Sequence, residues 1–124
     1  MKRLLIASSL AALFCLAAPA AQAGNVCGAS LGPKQGQVDS LCKPSSKTFC
    51  PNGGGTKTCA ELTDLFNNAR ACKAARVTVN NCFRPPDQGH KTAVATVGQD
   101  VVKCQRAMQT VCAAERRRNN NKKK

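Results

Sequence analysis

Apolar residues recur at helical spacing along two stretches of this chain. In the first, Leu62, Leu65, Phe66, Ala69, Cys72, Val79 and Cys82 recur at spacings of three, four or seven, with Ala75 or Arg76 bridging the gap. Thr58-Cys59-Ala60-Glu61 in front of them has the form of a capping box, Thr58 as N-cap and Glu61 reaching back. The stretch therefore predicts an amphipathic helix, with Asn67-Asn68 as its weak point. Val77-Thr78-Val79 alone suggests a strand, but it falls inside the helical period. In the second stretch Val94, Val97, Val101, Cys104, Met108 and Val111 alternate spacings of three and four without a miss, which predicts a narrow apolar stripe on a helix running to about Ala114. Gly98 inside it costs about 1 kcal/mol relative to Ala and leaves room for a neighbouring backbone.

Phe83-Arg84-Pro85-Pro86 stops the first helix, and Asp87 can cap the second. So short a connection implies an antiparallel helical hairpin. Facing positions then sum to roughly 170, which sets Cys59 opposite Cys112 and within pairing reach. Residues 24–57 are rich in Gly, Pro, Ser and Lys. Only the part from Gln35 to Cys42 reads as a helix, with Val38, Leu41 and Cys42 on one side, while Pro44-Ser45-Ser46 and Pro51-Asn52-Gly53-Gly54-Gly55 read as loops. The expected fold is all-α: a small disulfide-stapled domain built on a long antiparallel helical hairpin, with a loop-rich N-terminal third.

The N-terminus changes the setting. Met1-Lys2-Arg3 is a short basic segment, residues 4–18 are apolar, and Ala21-Gln22-Ala23 is a small-x-small cleavage site, which together read as a signal peptide over residues 1–23. Its removal from 124 residues leaves 101, and Cys15 goes with it, so nine cysteines become eight. Phe14 before Cys15 argues against a lipid-attachment site, where a small residue is needed. An exported chain with an even cysteine count is expected to carry four disulfides and to reside in the periplasm or outside the cell. No later apolar stretch approaches the ~20 residues needed to span a membrane.

Composition explains the need for crosslinks. The chain beyond residue 23 has no Trp, no Tyr and only Phe49, Phe66 and Phe83. At about 25 cal/mol per Å², a core of Ala, Val and Cys is thin, and disulfides contributing roughly 2–4 kcal/mol each must make up the difference. Without Trp and Tyr, base stacking is not expected as a mode of reading single strands. Charge is the second constraint. Beyond residue 23, 17 basic residues face 6 acidic ones, a net charge of +11, and Arg116-Arg117-Arg118 with Lys122-Lys123-Lys124 supply +6 of it. The organisation expected is a loop-rich segment over 24–57, a hairpin core over 58–115 and a basic tail over 116–124. With no apolar residue the tail reads as disordered, and it would attract a polyanion or serve only as a solubilising terminus.

Few residues suggest chemistry. Gly53-Gly54-Gly55-Thr56-Lys57-Thr58 departs from the spacing of a phosphate-binding loop. No Cys-x-x-Cys pair suggests zinc, and no cofactor is expected. A secreted phospholipase would need a His-Asp pair in a Cys-rich helix, whereas here Gly89 and Lys91 flank the single histidine, His90. With Asp87 as N-cap, His90 falls in the first turn of the second helix and heads its apolar stripe. It has two readings: a helix-start residue that packs and hydrogen-bonds locally, or a general base toward a phosphodiester. In the second reading Asp87 stands beside it, the 2′-hydroxyl of RNA is the nucleophile, and Lys91 and Arg84 stabilise the pentavalent phosphate. Arg70, Lys73 and Arg76 form a basic stripe read as a solvated face rather than a phosphate clamp.

The segments Cys-Ala-Glu-Leu (59–62), Ala-Cys-Lys-Ala-Ala-Arg (71–76), Cys-Phe (82–83) and Asp-Gln-Gly-His (87–90), with Cys104 in a later helix, carry a resemblance. The stretch from Cys42 to Cys112 resembles the cysteine-rich helical C-terminal domain of bacterial polymorphic toxins called novel toxin sixteen. The resemblance implies a toxin acting on nucleic acid, His90 and Asp87 as motif residues, and a cognate immunity protein as partner. Two functional classes follow. One is a secreted toxin acting as a metal-independent ribonuclease through His90, Asp87, Lys91 and Arg84. The other is a non-enzymatic cationic protein binding nucleic acid, lipid or polysaccharide, or a structural or inhibitor module.

Overall fold

The computed structural model describes residues 24–124, so the expected signal peptide lies outside the described residues. Three helices, α1 (Leu31–Cys42), α2 (Cys59–Asn80) and α3 (Gln88–Asn121), make up the molecule, with two-residue strands β1 (Gly24–Asn25) and β2 (Phe83–Arg84). The fold is all-α, as the apolar spacing predicts.

Helix α2 starts where its capping box dictates. Thr58 Oγ1 accepts from the Glu61 N–H at 3.2 Å, and Glu61 Oε2 accepts from the Thr58 N–H at 2.8 Å. Asn67-Asn68 does not interrupt it, and Val77-Thr78-Val79 completes it as helix. At its end Cys82 N–H donates to the Val79 carbonyl and the chain turns into β2. There Gly24 pairs with Arg84 and Asn25 with Phe83 in antiparallel register. Strands this short carry no alternation, so the sequence pattern gives no sign of them.

Helices α2 and α3 pack as the hairpin, and their seam is the main core. Leu62, Ala69, Cys104, Ala107 and Cys50 are buried there, flanked by Leu65, Phe66, Val101, Met108 and Val111. A second cluster of Cys42, Cys72 and Val97, with Val38 against it, attaches α1. Both clusters hold cystine sulfur where a larger protein would place Leu or Phe.

Four disulfides join Cys27 to Cys82, Cys42 to Cys72, Cys50 to Cys104 and Cys59 to Cys112. The last is the pair that the facing positions of the hairpin predict, with Cα atoms 4.8 Å apart. Each of the others ties a different segment of the N-terminal third to the hairpin. Among these segments, the Gly-rich loop is drawn in so closely that Gly54, at φ +86°, is buried against Val111, Leu62 and Ala107.

Two boundaries and one contact differ from the sequence reading. Helix α1 starts at Leu31 rather than Gln35, because Pro33 is tolerated within a first turn. Gly98 admits no neighbouring backbone; the end of the Lys73 side chain lies against it instead. Helix α3 continues past Ala114 to Asn121, so most of the tail expected to be disordered is helical. Propagation from a packed helix carries no nucleation cost, Arg is a good helix former, and cations are favourable at a helix C-terminus.

Candidate functional site

One histidine in the first turn of α3 is held by Asp87 and by Phe83. Asp87 is the N-cap, and its Oδ1 accepts from the His90 backbone N–H at 2.9 Å. Its other oxygen, Oδ2, takes the His90 ring at Nδ1, 2.6 Å away. One carboxylate thus caps the helix and orients the imidazole. The His90 N–H, and then its ring, hold the Asp87 carboxyl below the usual carboxylate range. On the other side Phe83 stacks on the imidazole, with ring centroids 4.2 Å apart and planes inclined by 30°. Phe83 is itself placed by β2 and by the neighbouring Cys27–Cys82 bridge.

With Nδ1–H donated to an ionised Asp87, the neutral ring carries its lone pair on Nε2. Among the described residues Nε2 has no hydrogen-bond partner. His90 lines a pocket of about 310 Å³ to which all three helices contribute: Gln35 and Asp39 from α1, Arg76 and Val79 from α2, His90 and Ala93 from α3. That volume is at the lower end of small-ligand sites. The Cys42–Cys72 bridge, close to Asp39 in α1 and one turn before Arg76 in α2, fixes two of the pocket's walls relative to each other.

The four sequence-derived candidates separate. His90 and Asp87 are joined directly. Lys91 is exposed, its N–H donating to the Asp87 carbonyl, and Arg84 lies on β2 beside a separate groove with Pro85 and Pro86. Neither Lys91 nor Arg84 lines the His90 pocket. Arg76 does, although its spacing within the basic stripe suggests a solvated face. The stripe divides in three: Arg70 lies over the Phe66 ring at 5.6 Å, Lys73 covers Gly98, and Arg76 turns into the pocket half-buried. A sequence signal for this does exist, since Arg76 occupies an apolar-phase position of α2, a turn before Asn80. Among the described residues, no three or more His, Cys, Asp or Glu side chains gather as a metal site would. No helix there is long and apolar enough to cross a membrane.

A cystine-stapled helical hairpin carrying an Asp-fixed histidine over a three-helix pocket defines a class, the small crosslinked all-α domain. Its family is specific: the model described as Novel toxin 16 matches residues 22–107, and the chain belongs to that family. The match takes in every residue of the His90 pocket and ends inside α3. No curated protein and no solved structure matches the chain. The protein is thus of toxin type, and a toxin-family domain with four disulfides fits an extracellular or periplasmic protein.

Proposed function

We propose that this toxin-type protein is a ribonuclease acting through His90. The observation carrying this reading is the single carboxylate of Asp87 that fixes the His90 ring through Nδ1, leaving Nε2 for a substrate proton. An imidazole is the side chain that most often serves as a general base. In the reaction, Nε2 takes the proton of the RNA 2′-hydroxyl, O2′ bonds to phosphorus and the P–O5′ bond breaks. O5′ leaves with a proton from solvent, and Nε2 gives its own proton back to solvent, leaving a 2′,3′-cyclic phosphate and a 5′-hydroxyl end. The substrate supplies its own nucleophile, so the step needs no metal. In this reading Lys91 and Arg84, which lie outside the pocket, meet flanking phosphates rather than the reacting one. The family setting adds a cognate immunity protein as the expected partner.

The test is cleavage of RNA by the oxidised chain, with 2′-deoxy substrate as control. His90→Ala should lose about 10²-fold or more in rate, and Asp87→Asn a smaller factor through the misoriented ring. A chain ending at Glu115 should still cleave. RNA left intact by the wild type would end the nuclease reading.

A second reading is favoured by the C-terminal end of α3, where Arg116, Arg117 and Arg118 are helical and exposed. This segment supports non-enzymatic binding of a polyanion, and its dependence is the reverse: it needs the segment beyond Glu115 and tolerates loss of His90.

A further inference from the structure

Arg76 lines the pocket, and one of its guanidinium donors has no acceptor. The Nε of Arg76 is buried and forms no hydrogen bond among the described residues, and on the same face of α2, one turn on, Asn80 Oδ1 is buried and unpaired as well. A buried polar group without a partner is costly, so such groups in native structures are met by water, an ion or a ligand. The carboxylate that shares the pocket, Asp39, is engaged by Lys43 at 2.7 Å. Val79 and Ala93 give the pocket an apolar wall, which strengthens any ion pair formed inside. A guanidinium's planar fork of N–H groups matches two oxygens of a phosphate, and His90 lies in the same pocket.

We propose that Arg76 is the phosphate-binding residue of the His90 pocket. It holds the non-bridging oxygens of the phosphodiester whose 2′-hydroxyl faces His90, and it stabilises the charge gathered there as phosphorus becomes pentavalent. An RNA ligand also offers hydroxyl donors, the complement that Asn80 Oδ1 lacks. The role in catalysis rests on the ribonuclease reading; the anion site rests on the pocket alone.

The experiment is a titration of the oxidised full chain, followed by ¹H–¹⁵N NMR, first with inorganic phosphate and then with a dinucleoside phosphate made uncleavable by a 2′-deoxy sugar. The Arg76 Nε–H and the His90 ring should shift in both titrations. Arg76→Gln should weaken the dinucleotide by about tenfold or more and lower kcat/KM on RNA by about 10²-fold, with Arg76→Lys intermediate. Arg70→Gln removes the same charge outside the pocket and should leave both values unchanged. Equal losses in the Arg76 and Arg70 variants, or no loss in either, would overturn the proposal. Arg76-dependent phosphate binding by a chain that leaves RNA intact would uphold the anion site and end the nuclease reading. Cleavage at full rate by Arg76→Gln would uphold the nuclease reading and overturn the part given to Arg76 in it.

Discussion

Glu115 of α3 accepts a hydrogen bond from the backbone N–H of Cys59, the first residue of α2, at 2.9 Å. The start of α2 is therefore capped twice, locally by Thr58 with Glu61 and across the hairpin by Glu115. The same two turns are bridged by Cys59–Cys112. Removal of the acceptor should cost about 1–2 kcal/mol, as loss of a helix cap does. Guanidinium unfolding of oxidised Glu115→Ala should show it, and Glu115→Gln, which keeps an acceptor oxygen, should lose less. Identical midpoints for wild type and Glu115→Ala would mean that the bond contributes nothing.

Gly54 should be among the least replaceable residues outside the disulfides. A Cβ there would stand 2.7 Å from Val111 Cγ2 and 3.1 Å from Leu62 Cδ1, at a backbone φ of +86°. Strained backbone and an overfilled core add, so Gly54→Ala is expected to lose about 2–4 kcal/mol. Gly53, also at positive φ (+65°) but with open space around it, is the matched control. Gly53→Ala should lose only about 1–2 kcal/mol from the backbone.

Acid should weaken the fold through the starts of α2 and α3. Thr58 N–H first, then Lys57, hold the Glu61 carboxyl below its usual 4.5, while His90 holds Asp87 below its usual 3.8. Both groups titrate lower in the folded chain than in the unfolded one, so protonation favours unfolding. Their stabilisation is present in full above the usual values and is lost as pH falls through them toward the folded values. The denaturant midpoint should hold steady from neutral into mild acid and then drop. Asp87→Asn and Glu61→Gln should each flatten the acid limb and lower the neutral plateau. An acid limb unchanged in both variants would count against this account.

Much of this architecture was legible in the chain. The alternating spacing of Val94 through Val111 and the Thr58–Glu61 box gave α2 and α3, and the antiparallel register gave Cys59 opposite Cys112. Those signals are local or follow from one symmetry. The other three disulfides join a loop-rich third with no periodicity to the hairpin, so nothing in their spacing ranked one partner over another. The same cause hid the pocket. Gln35 and Asp39 reach it only because Cys42–Cys72 brings α1 against α2. Arg76 was visible as a charge, but charge alone favours a solvated face; its position in the apolar phase of α2 was the stronger signal. Composition gives no sign of the helical tail, because it reports whether a segment can pack, not whether a packed helix will run on through it.

Removal of residues 116–124 should separate attraction from chemistry. The family match ends at residue 107, and six of the cations lie beyond Glu115. Each phosphate neutralised contributes about 0.9 to the slope of log affinity against log salt on duplex DNA, so the shortened chain should lose up to about 5 from that slope. Filter binding across a salt series measures it. A slope unchanged by truncation would place the polyanion contacts on the body of the domain.

Because α3 is one continuous helix, it is also a ruler. Twenty-six residues separate His90 in its first turn from Arg116 beyond the last crosslink, about 39 Å along the axis at 1.5 Å per residue. A B-form DNA duplex covers that distance in roughly 12 steps of 3.4 Å. Helical oligonucleotides below this length can reach one end of α3 or the other but not both. Longer ones can be gripped at the cationic end while their far end lies over the histidine, so length alone would decide whether the two ends of the helix act together.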